Sequence, residues 1–418
     1  MKIGSIVTGS SGHIFPMLSL ANQLKSSDRE IIICSHLDGQ EKIEAAGFKF
    51  YPFAKNIAPK GFFNSIMMKN SSGIKGLFHA FNTMNNVAKS EIEDIAEFIS
   101  KEKPNLLLID NLQPASIVVS EKYQIPYFIV STSFPMGFDA NIPPIFISWE
   151  LDRSLFSKFK NRIANYAFNK FLEFNRTTTN KYAKKNNIPK LEAFDGGKRN
   201  YLAYITQIPA RFDYPQNLPK NVYYSGPFVE NLVRKNSSNF SWEKLNGKPI
   251  VYASLGTVAN NKPEVFKQIA IAFENIEAQL IMSVGDRLSQ EEIDAIPGEH
   301  LIVRFAPQLE ILEKAKLFIT HAGMNSTLES LKAGVPMLAL PQMADQPGVA
   351  ARIKYVGAGE FILAKNLTVS SIREGVKAIL NDSKYQQKAI EFSQLPAMQN
   401  GCKLAADIIE SKLNSIPN

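Results

Sequence analysis

Only two of the 418 residues are cysteine, Cys34 and Cys402. They are far apart and share no metal-ligand spacing, which excludes a disulfide-stapled scaffold and a thiolate zinc site and suits a reducing cytoplasm. Apolar runs are short as well: none approaches the ~20 residues needed to span a bilayer. Met1 to Val7 lacks the basic start, long apolar stretch and small-residue cleavage site of a secretory signal, and reads instead as a first strand. A cytoplasmic setting is therefore expected, with the inner face of the membrane as its variant. No Asp-x-Asp occurs in the chain, so the paired-carboxylate signature of a bridging metal is missing. No Gly-x-Gly-x-x-Gly follows the first strand, which counts against a nicotinamide enzyme. No metal and no resident cofactor is expected.

What is present fits an ordinary folded protein, 45% hydrophobic and 21% charged. The length suggests two or three domains. Apolar strands at 2–8, 31–35, 106–110 and 127–130 alternate with helical patterns near 14–26, 86–102 and 114–123. After a break, strands recur at 250–254, 279–284, 301–304, 317–320 and 336–340. Short apolar strands alternating with helices predict parallel sheets covered on both faces. The expected fold is α/β, two Rossmann-like doubly wound domains facing a cleft: a first domain over 1–225, a linker over 226–248, a second domain over 249–390, and a last helix over 391–418 packing back toward the first domain. Ligands of such sheets sit beyond the carboxyl ends of the strands, so those residues carry the chemistry.

The net charge of +8 is unevenly spread. Residues 153–185 hold nine cationic side chains against the single carboxylate of Glu173, interleaved with Leu155, Phe156, Phe159, Ile163, Tyr166, Phe168, Phe171, Leu172 and Phe174. Such a helix either turns its apolar side to the core and solvates its basic side, or lays its aromatics on an anionic membrane surface. No nucleic-acid motif accompanies it, and no nucleic-acid partner is expected.

Residues 305–346 form the densest constellation. An apolar strand ending at Thr320 leads to His321, Gly323, Asn325 and Ser326 at the start of a helix. A helix N-terminus offers unpaired N–H groups and partial positive charge to an anion, and Gly323 lets it come close. Glu329 lies one turn on, where it could accept from ribose hydroxyls. Singly, Asn325 or Ser326 is an ordinary cap, His321 a structural histidine and Asp345-Gln346 a plain turn. Together, at these spacings, they read as a diphosphate site.

A second constellation lies far upstream. His13 follows Gly9, Ser10, Ser11 and Gly12 at the mouth of a helix, with Pro16 expected in its first turn. The helix N-terminus disfavours an imidazolium and should keep His13 neutral and basic near pH 7. Asp110 ends a strand on the same sheet edge. A carboxylate on one imidazole nitrogen fixes the tautomer and stabilises the charge that develops when the other takes a proton.

These segments resemble the family-one UDP-glycosyltransferases. The pattern is an aromatic, Pro-Gln, Thr-His-x-Gly-x-Asn-Ser, a Glu three residues on, Gly-Val-Pro and Asp-Gln. It is met by Phe305, Pro307, Gln308, Thr320, His321, Gly323, Asn325, Ser326, Glu329, Gly334, Val335, Pro336, Asp345 and Gln346. The resemblance implies that Phe305 stacks on the base, that His321, Gly323, Asn325 and Ser326 hold the diphosphate, that Glu329 binds ribose, and that Asp345 and Gln346 bind the sugar. Gln308 joins the donor-binding set. Ser254, Gly256 and Thr257 form the turn that approaches the diphosphate from the other side, and Gly12 completes the donor site. Gly12-His13-Ile14-Phe15-Pro16 and Asp110 match the family's catalytic dyad. Plant members carry Trp at the positions of Phe305 and Met324, so a TDP-sugar is an alternative donor to UDP-sugar. Asp345 through Ile353 most resembles the bacterial zeaxanthin glucosyltransferases.

The resemblance thus implies inverting, metal-independent transfer of a hexose, glucose first, from a UDP-sugar co-substrate to a hydroxyl on a carotenoid, terpenoid or polyketide. A glycolipid-forming transferase acting on an envelope lipid is the near alternative. Phe62, Phe63, Met67, Phe134, Met136, Phe138 and Phe146 are candidates to line an apolar acceptor pocket on the first domain. A monomer or weak dimer is expected. A non-catalytic nucleotide-sugar sensor would need the donor module without the base, yet His13 and Asp110 are both there.

Overall fold

The computed structural model describes residues 1–62, 74–192, 199–230, 240–256 and 260–415. The chain forms two compact units. The first gathers Met1–Ile142, Asp152–Arg234 and Asn400–Asn418; the second gathers Pro143–Leu151 and Lys235–Gln399. Residues 231–239, inside the anticipated linker, lie outside the described residues.

The first unit is built on a seven-stranded sheet, with β1 (Lys2–Val7), β2 (Glu30–Ser35), β3 (Lys49–Pro52), β4 (Leu106–Asp110), β5 (Tyr127–Ser131), β6 (Tyr204–Thr206) and β7 (Val222–Tyr224). The order is β3-β2-β1-β4-β5-β6-β7, and every pairing is parallel. The apolar runs alternate between the two faces, as the period of a strand requires. Ile6, Ile32, Cys34, Leu107 and Ile109 join the core under the helices Ile74–Glu102 and Pro114–Lys122. Ile3, Ile31, Ile33, Leu106 and Leu108 join the opposite core with the helix Ser11–Gln23. Cys402, Ala405, Ala406 and Ile409 of the last helix, Pro396–Leu413, pack into this second core. That helix breaks at Asn400, where the backbone leaves helical geometry, at the boundary between the units. Burial pushes the Cys34 thiol well above its ordinary range, consistent with an inert packing residue.

The second unit holds β8 (Ile250–Ser254), β9 (Gln279–Ser283), β10 (Leu301–Val303), β11 (Ala315–Thr320), β12 (Met337–Ala339) and β13 (Gly359–Phe361). They form one parallel sheet in the order β10-β9-β8-β11-β12-β13. The short strands β3, β6, β7 and β13 carry no long apolar run and escape a reading by periodicity. Gly334, at φ +70, closes the helix Met324–Lys332: its N–H donates to Leu331 O and that of Val335 to Ser330 O, the paired bonds of a Schellman stop.

Both sheets reverse their winding once, between β1 and β4 in the first and between β8 and β11 in the second. Each reversal leaves a crevice at the carboxyl ends of those two strands. Among the described residues, no helix is long and apolar enough to cross a membrane.

Candidate functional site

In the first unit the reversal brings His13 and Asp110 together. The helix after β1 starts at Ser11, three residues earlier than its apolar spacing suggests, because extended Ser10 acts as its N-cap and the Ser10 carbonyl accepts from His13 and Ile14. Gly12 and His13 thus lie within the first turn, and Pro16 lies inside the helix rather than at its mouth. His13 Nδ1 is 3.0 Å from the Asp110 carboxylate. A carboxylate only accepts, so Nδ1 carries the proton and Nε2 of the neutral ring is the basic nitrogen. Asp110 is fully buried and also accepts the N–H groups of Thr8, at 3.0 Å, and Leu112, at 3.1 Å. Burial works to raise its pKa, but the charge and hydrogen bond of His13 and the two backbone donors outweigh it, leaving the carboxyl below its ordinary value.

One direct partner of this pair and two contacts that support its surroundings were not legible in the sequence. Thr132 Oγ1 is 3.1 Å from His13 Nδ1. It stands just past β5, next to β4 in the sheet, so the strand-end rule that selects Asp110 selects Thr132 once the strand order is known. Gln113 donates to Thr8 Oγ1 at 3.0 Å, behind the same crevice. His36 Nδ1 accepts the Gly9 N–H at 3.3 Å, and its Nε2 faces Glu91 Oε1 at 3.1 Å, both side chains being buried. This pair braces the turn that presents His13.

In the second unit the reversal brings β8 and β11 side by side, with Thr320 in register with Ser254. His321 lies between two glycines. A Cβ on Gly256 would stand 2.5 Å from the imidazole Cε1, and one on Gly323 would run into Nε2. Gly256 also has φ +73, which a side chain would strain, and its N–H donates to Ser254 Oγ at 3.3 Å. Burial pushes the His321 pKa down to about 4, partly offset by the Ser254 backbone, so the ring is neutral at pH 7. Gly323 caps the helix Met324–Lys332 without any side-chain cap bond, and Asn325 and Ser326 fall in its first turn. Gln308 Nε2 donates to Glu329 Oε2 at 2.5 Å and to Ser326 Oγ at 3.3 Å, tying three of the candidate residues together. Tyr252, on β8, donates to Gln308 Oε1 at 3.4 Å. Burial raises its phenol to about 12, with the Ser283 and Ser254 side chains opposing and Glu329 adding to the rise. Tyr252 therefore acts as a hydrogen-bonding wall, a residue invisible inside an apolar strand run.

The Phe305 ring is 57% exposed, open to stack on a planar ligand. Asp345 is half-buried at the start of the helix Gln346–Tyr355. Gln346 is buried, and its side-chain oxygen already accepts the N–H groups of Gln342, at 2.8 Å, and Met343, at 3.0 Å. Half-buried Lys262 donates to Gln342 at 2.6 Å, and burial lowers its pKa. Thr257 lies outside the described residues.

The apolar candidates do not stay together. Phe63 and Met67 lie outside the described residues. Phe134 is a core residue, fully buried with its ring 5.7 Å from that of Phe212, and offers no surface to a ligand. Phe146 belongs to Pro143–Leu151, which groups with the second unit rather than the first. There the Gly348 N–H donates to Ile145 O at 3.0 Å, and Lys354 pairs with Glu150 at 2.8 Å. Phe62 and Phe138 are half-buried against one core of the first unit, Phe138 edge-on to Tyr204 at 5.4 Å, and Met136 is half-buried nearby in sequence.

Comparison with known proteins bears on the family and the fold. The NDP-glycosyltransferase YjiC of Bacillus subtilis (strain 168) is 28% identical over 97% of this chain and 96% of its own. The zeaxanthin glucosyltransferase of Pantoea ananas is 24% identical over 95% of this chain and 93% of its own. The crystal structure of the glycotransferase of kitacinnamycin superposes with a TM-score of 0.76 at 19% identity, covering 99% of both chains, and shares the fold. The family described as UDP-glucoronosyl and UDP-glucosyl transferase matches residues 52–400, and the chain belongs to it: it is a glycosyltransferase built from two Rossmann-like parallel-sheet units, the GT-B fold.

Proposed function

We propose that the enzyme moves a hexose, glucose in the first instance, from a UDP-sugar to a hydroxyl of a hydrophobic small molecule, with inversion and without a metal. The observation that carries this reading is the 3.0 Å contact between His13 Nδ1 and the buried Asp110 carboxylate. It leaves Nε2 as the base. The acceptor O–H gives its proton to Nε2 as the oxygen attacks the anomeric carbon. The bond from that carbon to the diphosphate oxygen breaks, and its electron pair leaves with the diphosphate. Attack opposite the leaving group inverts the centre, so an α-linked donor gives a β-glycoside.

The second unit supplies what the leaving group needs. In this reading the first turn at Asn325 and Ser326, with neutral His321 and the turn at Ser254–Gly256, receives the charge that develops on the diphosphate. Phe305 stacks on the base, Glu329 and Gln308 take the ribose, and Asp345 and Gln346 the sugar. The missing Asp-x-Asp supports metal independence. Phe305 stacks equally well on uracil and thymine, so a TDP-sugar is the second donor to test.

The zeaxanthin-directed relative supports a carotenoid or similar apolar acceptor, with an envelope lipid as the alternative. Phe62, Met136 and Phe138 are the residues proposed to meet it in the first unit. The test is His13→Ala, assayed for UDP release with a panel of UDP- and TDP-sugars and apolar acceptors. Turnover should fall roughly 10²–10⁴-fold, the range of a lost general base, while calorimetry shows UDP still bound. Undiminished turnover would overturn the assignment.

A further inference from the structure

The helix Leu155–Phe174 is built inside out. Its buried positions are Ser157, Asn161 and Asn165 along the first three turns and Leu172 near its end. Asn161 donates to Asn141 O at 2.7 Å, and Asn165 to Ala140 O at 3.2 Å and Ile142 O at 3.0 Å. From Leu155 to Tyr166 the polar side of the helix is thus spent holding the 140–142 backbone, and the apolar side faces outward, while Leu172 turns inward near the end. Leu155, Phe156, Phe159, Ile163 and Tyr166 follow one another at helical spacing and are 53–84% exposed. A surface helix of a water-soluble unit normally has the reverse arrangement. A contiguous exposed apolar stripe of this kind marks a contact surface.

The surroundings indicate what it meets. Beside the C-terminal end of the stripe, this helix and the following one, Thr177–Lys185, border a groove of about 680 Å³ lined by Lys170, Phe174, Lys181, Lys184 and Lys190. Glu173, the carboxylate among its lining residues, pairs with Lys170 at 3.3 Å and Lys190 at 3.0 Å, leaving the groove strongly cationic. A second copy docked face to face would set this basic stretch against itself. Nucleic acid would match the lysines but give Leu155 and Ile163 nothing to bury against.

We infer that this face docks on an anionic bilayer. The helix lies along the surface, the stripe from Leu155 to Tyr166 enters the boundary between headgroups and acyl chains, and the lysines of the groove meet lipid phosphates. Docking is peripheral and independent of the transfer chemistry, so either can fail alone.

The test is flotation of the full-length protein with vesicles of phosphatidylglycerol and phosphatidylcholine, against vesicles of phosphatidylcholine alone, at low and high salt. Two variants accompany it: Phe156→Ser/Phe159→Ser/Tyr166→Ser and Lys181→Glu/Lys184→Glu. The wild type should float with the anionic vesicles at low salt and about tenfold less with neutral ones. Each variant should lose about tenfold or more of the binding, the scale of two displaced surface charges or a lost apolar anchor. Melting curves and transfer to a soluble acceptor should match wild type for both; if the serine variant does not fold, the lysine pair decides. No flotation with anionic vesicles, equal flotation with neutral ones, or wild-type binding by the folded variants would each overturn the inference. So would a dimer that the serine variant abolishes without any vesicle binding.

Discussion

The two units reverse their strand order in the same way, yet they furnish the two crevices with opposite chemistry. Beyond β1 and β4 stands a histidine in contact with a buried carboxylate, on which Thr8, Leu112 and His13 converge. Beyond β8 and β11 stands a histidine squeezed between Gly256 and Gly323, which burial keeps neutral. The first arrangement suits accepting a proton, because the carboxylate stabilises the imidazolium that results. The second suits an anion, because small residues and a helix start let backbone N–H groups approach it. One topology thus yields either device, and the residues at the strand ends decide which.

The largest expected effect tests the first half of that contrast. Asp110→Asn keeps the size of the side chain but removes its charge and replaces one of the two acceptor oxygens beside His13 Nδ1 with an NH2 donor. Turnover is expected to fall roughly 10²–10⁴-fold, with UDP affinity changed less than about threefold because, Gly12 aside, the candidate donor residues lie in the other unit. Equal losses in turnover and UDP affinity would show that the two crevices are not separate devices.

The second effect is on stability. The His321 pKa is lowered from 6.5 to about 4 by burial. Between those values the unfolded chain binds a proton that the folded chain does not. The stabilisation is therefore complete above pH 6.5, declines as pH falls toward 4, and levels off below it, by roughly 3 kcal/mol in all. Denaturant titrations from pH 7.5 to 4.5 should show this slope in the wild type and its loss in His321→Gln. The lowered Asp110 carboxyl acts in the same direction, but only below its ordinary value of 3.8, so the two contributions separate on the pH axis. A wild-type profile flat between 6.5 and 4.5 would remove the claim that His321 is held neutral.

Third in size is Gly323→Ala. The added methyl meets His321 Nε2. UDP binding should weaken about tenfold to a hundredfold, the 1–3 kcal/mol cost of overpacking. Binding equal to wild type would mean that His321 gives way to the methyl without disturbing the site, because Gly323 at φ -65 has no backbone need for glycine.

The contrast also shows what a sequence carries and what it hides. Apolar runs such as Leu106–Ile109 and Leu317–Ile319 announce buried parallel strands, and the residue after each announces chemistry. The donor-unit motif is legible because its parts are contiguous in the chain, from His321 to Glu329. His13 and Asp110 are 97 residues apart, and before the sheet order is known only their strand-end positions and the resemblance pair them. Thr132, His36 and Tyr252 stay hidden because nothing local marks them; each matters through a neighbour on another strand or helix. Phe134 misleads because an aromatic in a loop-rich stretch looks the same in sequence whether it faces a pocket or, as here, Phe212. The helix at 155–174 shows its amphipathic pattern plainly, but which side faces inward depends on Asn161 and Asn165 finding the 140–142 carbonyls.

The smallest effect bears on how many partners orient His13. Asp110 and Thr132 both lie within 3.1 Å of Nδ1, which has one hydrogen to give. A charged acceptor forms the stronger bond, so Asp110 should accept the Nδ1–H and Thr132 should support the ring from the side. Thr132→Val keeps the shape and removes only the hydroxyl. Its loss is worth about 1 kcal/mol, or roughly fivefold in kcat, with the KM for the donor unchanged. In an Asp110→Asn background the same change should cost more, because the hydroxyl would then share Nδ1 with an uncharged amide rather than a carboxylate. Equal costs in the two backgrounds would show that the hydroxyl does not share the task of the carboxylate, and that the first crevice depends on Asp110 alone.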